Sequence, residues 1–239
     1  MNAARLFRLP RGILIAIEGI DGAGKTTQAK LLAGHFAVSK LPMEIVTSKE
    51  PTAGPWGSKI RATATTGRLS AEDELEAFIE DRKEHVAELI EPALERGALV
   101  ILDRYYLSTA TYQGARGLDA SDILRANEAF APRPDLIVII ELAPQAALAR
   151  IGTRGGANAF ETLEGLSAVH AGFAKLGAPY AIARVDGSGG PQEVHAAVRA
   201  AVETALAQAM MAASEAVVRD DSIAPEDKAA ALRALLVRV

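Results

Sequence analysis

Five apolar, β-branched runs punctuate the chain at Ile13–Ile17, Glu44–Ser48, Leu99–Leu102, Leu136–Leu142 and Ala181–Val185. Such runs read as buried strands. Between them apolar positions recur at helical spacing, most clearly over Glu72–Arg96 and Pro144–Ile151. Alternating strands and helices predict a parallel sheet covered on both faces. Ligands of such sheets collect at the carboxyl ends of the strands. Three polar clusters fall there: Asp21 to Thr27, Lys49-Glu50-Pro51 and Asp103-Arg104. They are expected to converge on one cleft.

Beyond Pro191 the pattern is helical, with an Ala-rich stretch to about Ala213 and a polar break at Arg219-Asp220-Asp221-Ser222. A last amphipathic segment, Pro225 to Val239, places Ala229, Leu232, Leu235 and Leu236 on one face. That face reads as packed on the domain or on a partner subunit. The predicted organisation is an N-terminal extension over residues 1–11, one α/β domain over 12–209 and a helical tail over 210–239.

Composition narrows the classes. The net charge of −4, with no block of Lys and Arg, gives no reason to expect nucleic acid as a partner. An anionic ligand must be held by individually placed cations. The absence of cysteine excludes disulfides, thiolate metal sites and cysteine nucleophiles. It suits a cytoplasmic protein. No signal peptide is read at the N-terminus, and no apolar stretch approaches membrane-spanning length.

The sharpest motif is Gly19-Ile20-Asp21-Gly22-Ala23-Gly24-Lys25-Thr26, which matches the P-loop pattern in full. It lies between a strand and a helix, as that motif requires. Its backbone N–H groups, Thr27 included, can face phosphate oxygens at a helix N-terminus. Lys25 can reach the β- and γ-phosphates, and Thr26 can ligate Mg²⁺. Leu99–Asp103 has the shape of a Walker B strand, whose carboxylate joins the Mg²⁺ shell. Arg104 follows it, suited to a phosphate.

Arg82 falls on the apolar stripe of Leu75, Phe78, Ile79, Val86, Leu89 and Ile90, whereas Glu80, Asp81, Lys83 and Glu84 lie largely off it. An inward Arg needs an anion. That anion is either an internal carboxylate or a second phosphate, with Phe78 one turn away offering a ring face to a base. Two phosphate sites point to a phosphoryl-transfer enzyme with donor and acceptor. The chain lacks the N-K-x-D element of a GTPase. His35, His85, His170 and His195 are scattered and read as ordinary surface or helix residues.

Taken with these features, four stretches are similar to thymidylate kinases. They are Glu18 to Gln28, Ser48-Lys49-Glu50-Pro51-Thr52, Phe78-Ile79-Glu80-Asp81-Arg82 and Asp103-Arg104-Tyr105-Tyr106-Leu107-Ser108-Thr109-Ala110-Thr111-Tyr112-Gln113-Gly114. The resemblance spans about Gly12 to Ala205. It implies a P-loop fold with a five-stranded parallel sheet in order 2-3-1-4-5 and a small lid near residues 150–160. It implies ATP and Mg²⁺ as cofactors, dTMP as acceptor and a homodimer. The alternative is another nucleoside monophosphate or a modified deoxynucleotide; a regulatory P-loop protein ranks below both.

The resemblance also implies roles. Asp21 would accept from the acceptor's 3′-hydroxyl, Phe78 would stack on thymine, and Arg82 would contact the base. Arg104 would bind the acceptor phosphate, and Tyr112 would lie against the deoxyribose. Ser108, Thr109 and Gln113 belong to the same block, with Thr109 and Gln113 near the base, and the stretch that holds Glu50 and Pro51 faces the acceptor. Relatives often carry Arg where this chain has Gly22. Those lacking it use lid cations, for which Arg150 and Arg154 are the candidates. Of the usual motif after the lid only Phe160 and Glu161 match. Thr52 and Ala53 depart from the family's glycines.

Overall fold

The computed structural model describes residues 11–39, 43–153, 162–220, 222–225 and 228–229. The chain runs β1 (Ile13–Glu18), α1 (Lys25–Val38), β2 (Ile45–Lys49), α2 (Pro55–Thr66) and α3 (Ala71–His85). A π-helical turn, Val86–Ile90, leads into α4 (Glu91–Glu95) and β3 (Leu99–Asp103). Then come α5 (Tyr106–Gly114), α6 (Ala120–Glu128), β4 (Leu136–Glu141), α7 (Pro144–Gly152), α8 (Leu163–Lys175), β5 (Ile182–Asp186) and α9 (Pro191–Arg219).

The five strands form one parallel sheet in the order β2-β3-β1-β4-β5. The central strands β1 and β3 are buried along their whole length, which is why they read as unbroken apolar runs. The edge strands β2 and β5 are half-exposed and correspondingly mixed in sequence. Register sets the functional rim. Ile17 and Lys49 both pair with Asp103, and Glu18 pairs with Ile139. The polar ends of β1, β2 and β3 are therefore level. Backbone bonds continue the ladder beyond the apolar runs: Arg104 N–H donates to Ile17 O at 3.0 Å and Glu50 N–H to Asp103 O at 3.1 Å. β1 and β3 consequently include the carboxylates that close them, Glu18 and Asp103.

Helix α9 packs on α1 and over β4 and β5, burying Val194, Val198, Val202 and Leu206 at four-residue spacing. It continues without a break past residue 209 and ends at Arg219, at the polar break. Most of the last amphipathic segment lies outside the described residues.

The segment Glu72–Arg96, read as one helix, is interrupted by the π-helical turn. Pro92 accounts for it. A Pro ring clashes with the carbonyl four residues back, and a widened turn relieves that clash. The inward face of α3 also differs from the expected stripe. Glu74, Ala77, Asp81, Arg82 and His85 are buried, whereas Leu75, Phe78 and Ile79 are only partly covered. The polar side chains turn inward because charged and polar partners wait there.

Candidate active site

The P-loop wraps from β1 into α1 as expected, and Lys25 is buried. Its Nζ donates to Ile20 O at 2.8 Å and lies 4.0 Å from an Asp21 oxygen. Burial and the neighbouring Arg104 charge lower the Lys25 pKa to about 8, against the pull of Asp21 and Asp103. Ala23 is buried in the loop, and Gly19 and Gly22 both have positive φ. A Cβ at Gly22 would stand 2.5 Å from Ala147 O. A side chain at that position therefore requires α7 to move, which suits a site whose cations come from elsewhere. Gly22, Gly24, Lys25, Thr26 and Thr27 line a cavity of about 440 Å³ with Lys49, Asp103 and Arg104.

Thr26 Oγ1 bonds Asp103 Oδ2. The other carboxylate oxygen, Oδ1, is buried without a hydrogen-bond partner. A buried carboxylate oxygen with a spare lone pair beside a threonine hydroxyl is a pair of hard oxygen donors of the kind that could join a Mg²⁺ shell. No cluster of three or more His, Asp or Glu suited to hold a metal by itself occurs among the described residues.

A second cavity, about 240 Å³, opens on the other side of Arg104. Its walls come from α3 (Phe78, Arg82), α5 (Ser108, Thr109, Tyr112, Gln113) and the loop after β2 (Glu50, Pro51). Asp21, Glu50, Pro51, Arg61 and Arg104 border both cavities. At that junction Arg104 Nη2 pairs with Asp21 Oδ1. The Tyr112 hydroxyl donates to Asp21 Oδ2 at 2.9 Å and accepts the Asp21 N–H at 3.1 Å. The Arg104 guanidinium lies 5.0 Å from the Tyr112 ring centre. Burial favours a neutral Asp21, but Arg104 and Lys25 outweigh it and pull the pKa down to about 2. The Tyr112 phenol is pushed up, chiefly by burial.

Arg82 meets an internal anion. It is 1% exposed, and Nε donates to Glu50 Oε2 at 2.9 Å while Nη2 also reaches that oxygen. Nη1 donates to Asn127 Oδ1 at 2.6 Å and Nη2 to Thr109 Oγ1 at 3.0 Å. Of the two anions open to it in sequence, the carboxylate is therefore present, and the side chain still borders the second cavity. Two sequence readings need correction. Asp81, placed off the stripe, is buried and accepts Thr52 N–H and Oγ1–H at 2.8 and 2.6 Å. His85, read as an ordinary helix residue, is buried between Glu50 Oε1 at 3.0 Å and Ser48 Oγ at 2.8 Å. Both answer polar atoms of the β2 rim, which helical periodicity cannot see.

Several wall residues escaped the sequence reading. Glu74 accepts Gln113 Nε2 at 2.9 Å and pairs with Arg68 and Arg116. Arg61 donates to Pro51 O at 3.0 Å and also reaches Thr52 O. A third cavity, about 530 Å³, lies beyond the P-loop between Gln28, Thr153 and the loop 187–191. Gln28 Nε2 donates to Pro191 O at 2.9 Å. The run Gly187-Ser188-Gly189-Gly190-Pro191 after the fifth strand was the available signal for that cavity. Arg150 borders it and donates to Ser188 O at 3.2 Å. Arg154, Phe160 and Glu161 lie outside the described residues.

The family profile described as Thymidylate kinase matches residues 17–198. Similar proteins carry that same name. One from Akkermansia muciniphila is 50% identical over 192 residues, covering 80% of this chain and 92% of its own. One from Xanthomonas campestris pv. campestris is 51% identical over 201 residues, covering 82% and 87%. One from Xanthomonas euvesicatoria pv. vesicatoria is 54% identical over 171 residues, covering 71% and 74%.

Proposed function

The chain belongs to the thymidylate kinase family, and from that premise we propose how its residues carry out ATP + dTMP → ADP + dTDP. The observation that carries this reading is the pair of cavities meeting at Asp21, Glu50, Pro51, Arg61 and Arg104. A switch protein needs one nucleotide site, whereas a transferase needs a donor and an acceptor site within bond-forming distance. The donor triphosphate lies in the P-loop cavity, with Lys25 on its outer phosphates. The acceptor lies in the second cavity, with its base against Phe78 and its phosphate at Arg104. Tyr112 and Asp21 flank the sugar.

Phosphoryl transfer is mostly positioning plus charge neutralisation, so no covalent intermediate on the protein is required. Lys25 in the P-loop cavity and Arg104 on the shared rim would neutralise the migrating group. Asp21, ionised at neutral pH, holds Arg104 in place before the acceptor arrives. Asp103 and Thr26 would hold Mg²⁺, which would supply positive charge to offset that of the phosphates. Arg150 and Arg154 remain the candidate lid cations. The homodimer, the cytoplasmic location and the absence of a nucleic-acid partner belong to the same reading. No described helix is long and apolar enough to cross a membrane.

Thr52 and Ala53, which depart from the family pattern, line neither cavity, and Thr52 is turned onto Asp81. They give no support to a different acceptor. The test is ATP-Mg²⁺ with a panel of monophosphates, read as kcat/KM. The expected order is dTMP first, with dUMP poorer by the roughly 1–3 kcal/mol that a methyl in an apolar pocket contributes. UMP, CMP or AMP outrunning dTMP would overturn the acceptor assignment and leave the kinase assignment standing. Chelation of Mg²⁺ is expected to stop turnover, and sedimentation tests the dimer.

A further inference from the structure

Glu18 is fully buried at the end of β1, and it lines neither the donor nor the acceptor cavity. Its carboxylate nevertheless reaches across to the start of α5. Oε1 accepts the N–H of Tyr105 at 2.9 Å and the N–H of Ser108 at 3.3 Å. Oε2 accepts the Ser108 hydroxyl at 2.5 Å. Tyr105 is the N-cap of α5, and that helix has no side-chain cap of its own. A carboxylate from a neighbouring strand thus takes the Ser108 N–H that a capping Ser or Asp would normally take and the Tyr105 N–H that an N3 Glu takes in a capping box.

Arg104 stands immediately before this cap. It has a φ of 71°, the only positive φ at a non-glycine position among the described residues. A side chain in the left-handed region is strained and persists only where its surroundings over-determine it. The surroundings here are its own N–H on Ile17 O at 3.0 Å and, one residue on, the Tyr105 N–H on Glu18. The side chain is held by the same acid through one intermediary. Arg104 Nη1 donates to Ser108 Oγ at 3.3 Å, and the hydroxyl proton of Ser108 is committed to Glu18. The serine oxygen is therefore free to act as an acceptor toward the guanidinium.

We propose that Glu18 is a positioning residue for the acceptor phosphate: it clamps the strained backbone of Arg104 and orients the Ser108 hydroxyl that steadies its guanidinium. The inference rests on Arg104 as the acceptor-phosphate ligand. A merely structural role makes the opposite forecast for one substitution. Burial raises the Glu18 pKa to about 7, and its hydrogen bonds and the Arg104 and Lys25 charges offset burial only in part. An isosteric amide removes that buried charge, so it relieves the fold. It also puts an NH₂ donor against Ser108 Oγ, which contests the lone pair used by Arg104.

The experiment compares Glu18→Gln, Ser108→Ala and the double variant in the full-length enzyme. The readouts are KM for dTMP, KM for ATP and the thermal midpoint at pH 8. Glu18→Gln is expected to raise KM for dTMP about tenfold or more, the scale of one charge-assisted hydrogen bond. KM for ATP should stay within about twofold and the midpoint should not fall, because only the acceptor side is touched. Ser108→Ala should raise KM for dTMP as well, and the double variant should exceed the larger single effect by little, since the two share one chain of bonds. An unchanged KM for dTMP in Glu18→Gln overturns the proposal, and so do effects that simply add. Loss of folding, or equal rises in both KM values with a lowered midpoint, assigns Glu18 a structural role instead. A monophosphate panel that ranked another acceptor first would move the substrate assignment while leaving this comparison to be read with that acceptor.

Discussion

Lys25 makes the case for reading a site from single residues. Its ammonium is buried beside the Arg104 charge and its pKa sits at about 8. Triphosphate oxygens favour the charged form and raise that value. ATP binding above pH 8 is therefore expected to take up a proton and to weaken with rising pH, by up to about tenfold per unit. Calorimetry at pH 9 in buffers of different ionisation enthalpy would show the uptake, and Lys25→Ala should abolish it. That variant should also lose roughly 10²–10³ in turnover while staying folded. Near-normal turnover would remove Lys25 from the mechanism. Tyr112 offers a second check. Its ring packs under Arg104 and its hydroxyl on Asp21. Tyr112→Ala is expected to narrow the preference for dTMP over 5-methyl-UMP by opening the wall beside the sugar. Lys25 was legible because the P-loop is contiguous and backbone geometry over a few positions dictates where its side chain goes, whereas the place of Tyr112 came from the family resemblance. Glu74 and Arg61 carry no such local signature, and Gln28, although it closes the P-loop stretch, gives no sign in sequence of its partner. Their partners, Arg116, Pro51 and Pro191, are 42, 10 and 163 positions away.

At the scale of elements, helical spacing identified the residues of α3 that alternate sides but not what each side meets. Apolar periodicity assumes that the inner face is oil. Here the inner face looks onto the rim of β2, where Glu50, Ser48 and the Thr52 backbone present acceptors and donors. Arg82, Asp81 and His85 answer them, and the apolar Leu75 and Ile79 are left partly covered. The Arg82–Glu50 pair thereby ties α3 to the end of β2. Removing one partner of a buried pair strands the other charge, at a cost of about 3–5 kcal/mol. Arg82→Met is thus expected to lower stability by that order as well as to raise KM for dTMP, and Glu50→Gln in the same background should recover part of the stability. Denaturant titrations of both variants would decide it. An Arg82→Met protein of native stability with lost dTMP affinity would mean that the guanidinium serves the acceptor alone. The strand order, by contrast, came from family resemblance; periodicity supplied the alternation of strand and helix, and the register then explains why three separate polar clusters share one rim.

Across the whole molecule the rim gathers ionisable groups whose effects on folding oppose one another. Glu18 is raised from 4.5 to about 7, so the folded protein holds its proton longer than the unfolded chain does. Its contribution to stability is fully present below about pH 4.5 and is lost as pH rises through 7. Asp21 is lowered from 3.8 to about 2, so its contribution is present above 3.8 and lost as pH falls toward 2. Lys25 is lowered from 10.5 to about 8, so it disfavours folding at low pH and ceases to do so between 8 and 10.5. Between pH 4.5 and 7 Glu18 acts without the other two. Over that window Glu18 is expected to lower unfolding midpoints in urea as pH rises, with a slope of at most about 1.4 kcal/mol per pH unit, while His195, whose pKa is lowered by burial and by His35, pulls the other way. Glu18→Gln should flatten the decline and leave the acid limb below pH 4 unchanged. The same variant is forecast to bind dTMP more weakly, so the molecule keeps at its centre an acid that costs stability at neutral pH. An unflattened profile would show that the decline comes from other groups.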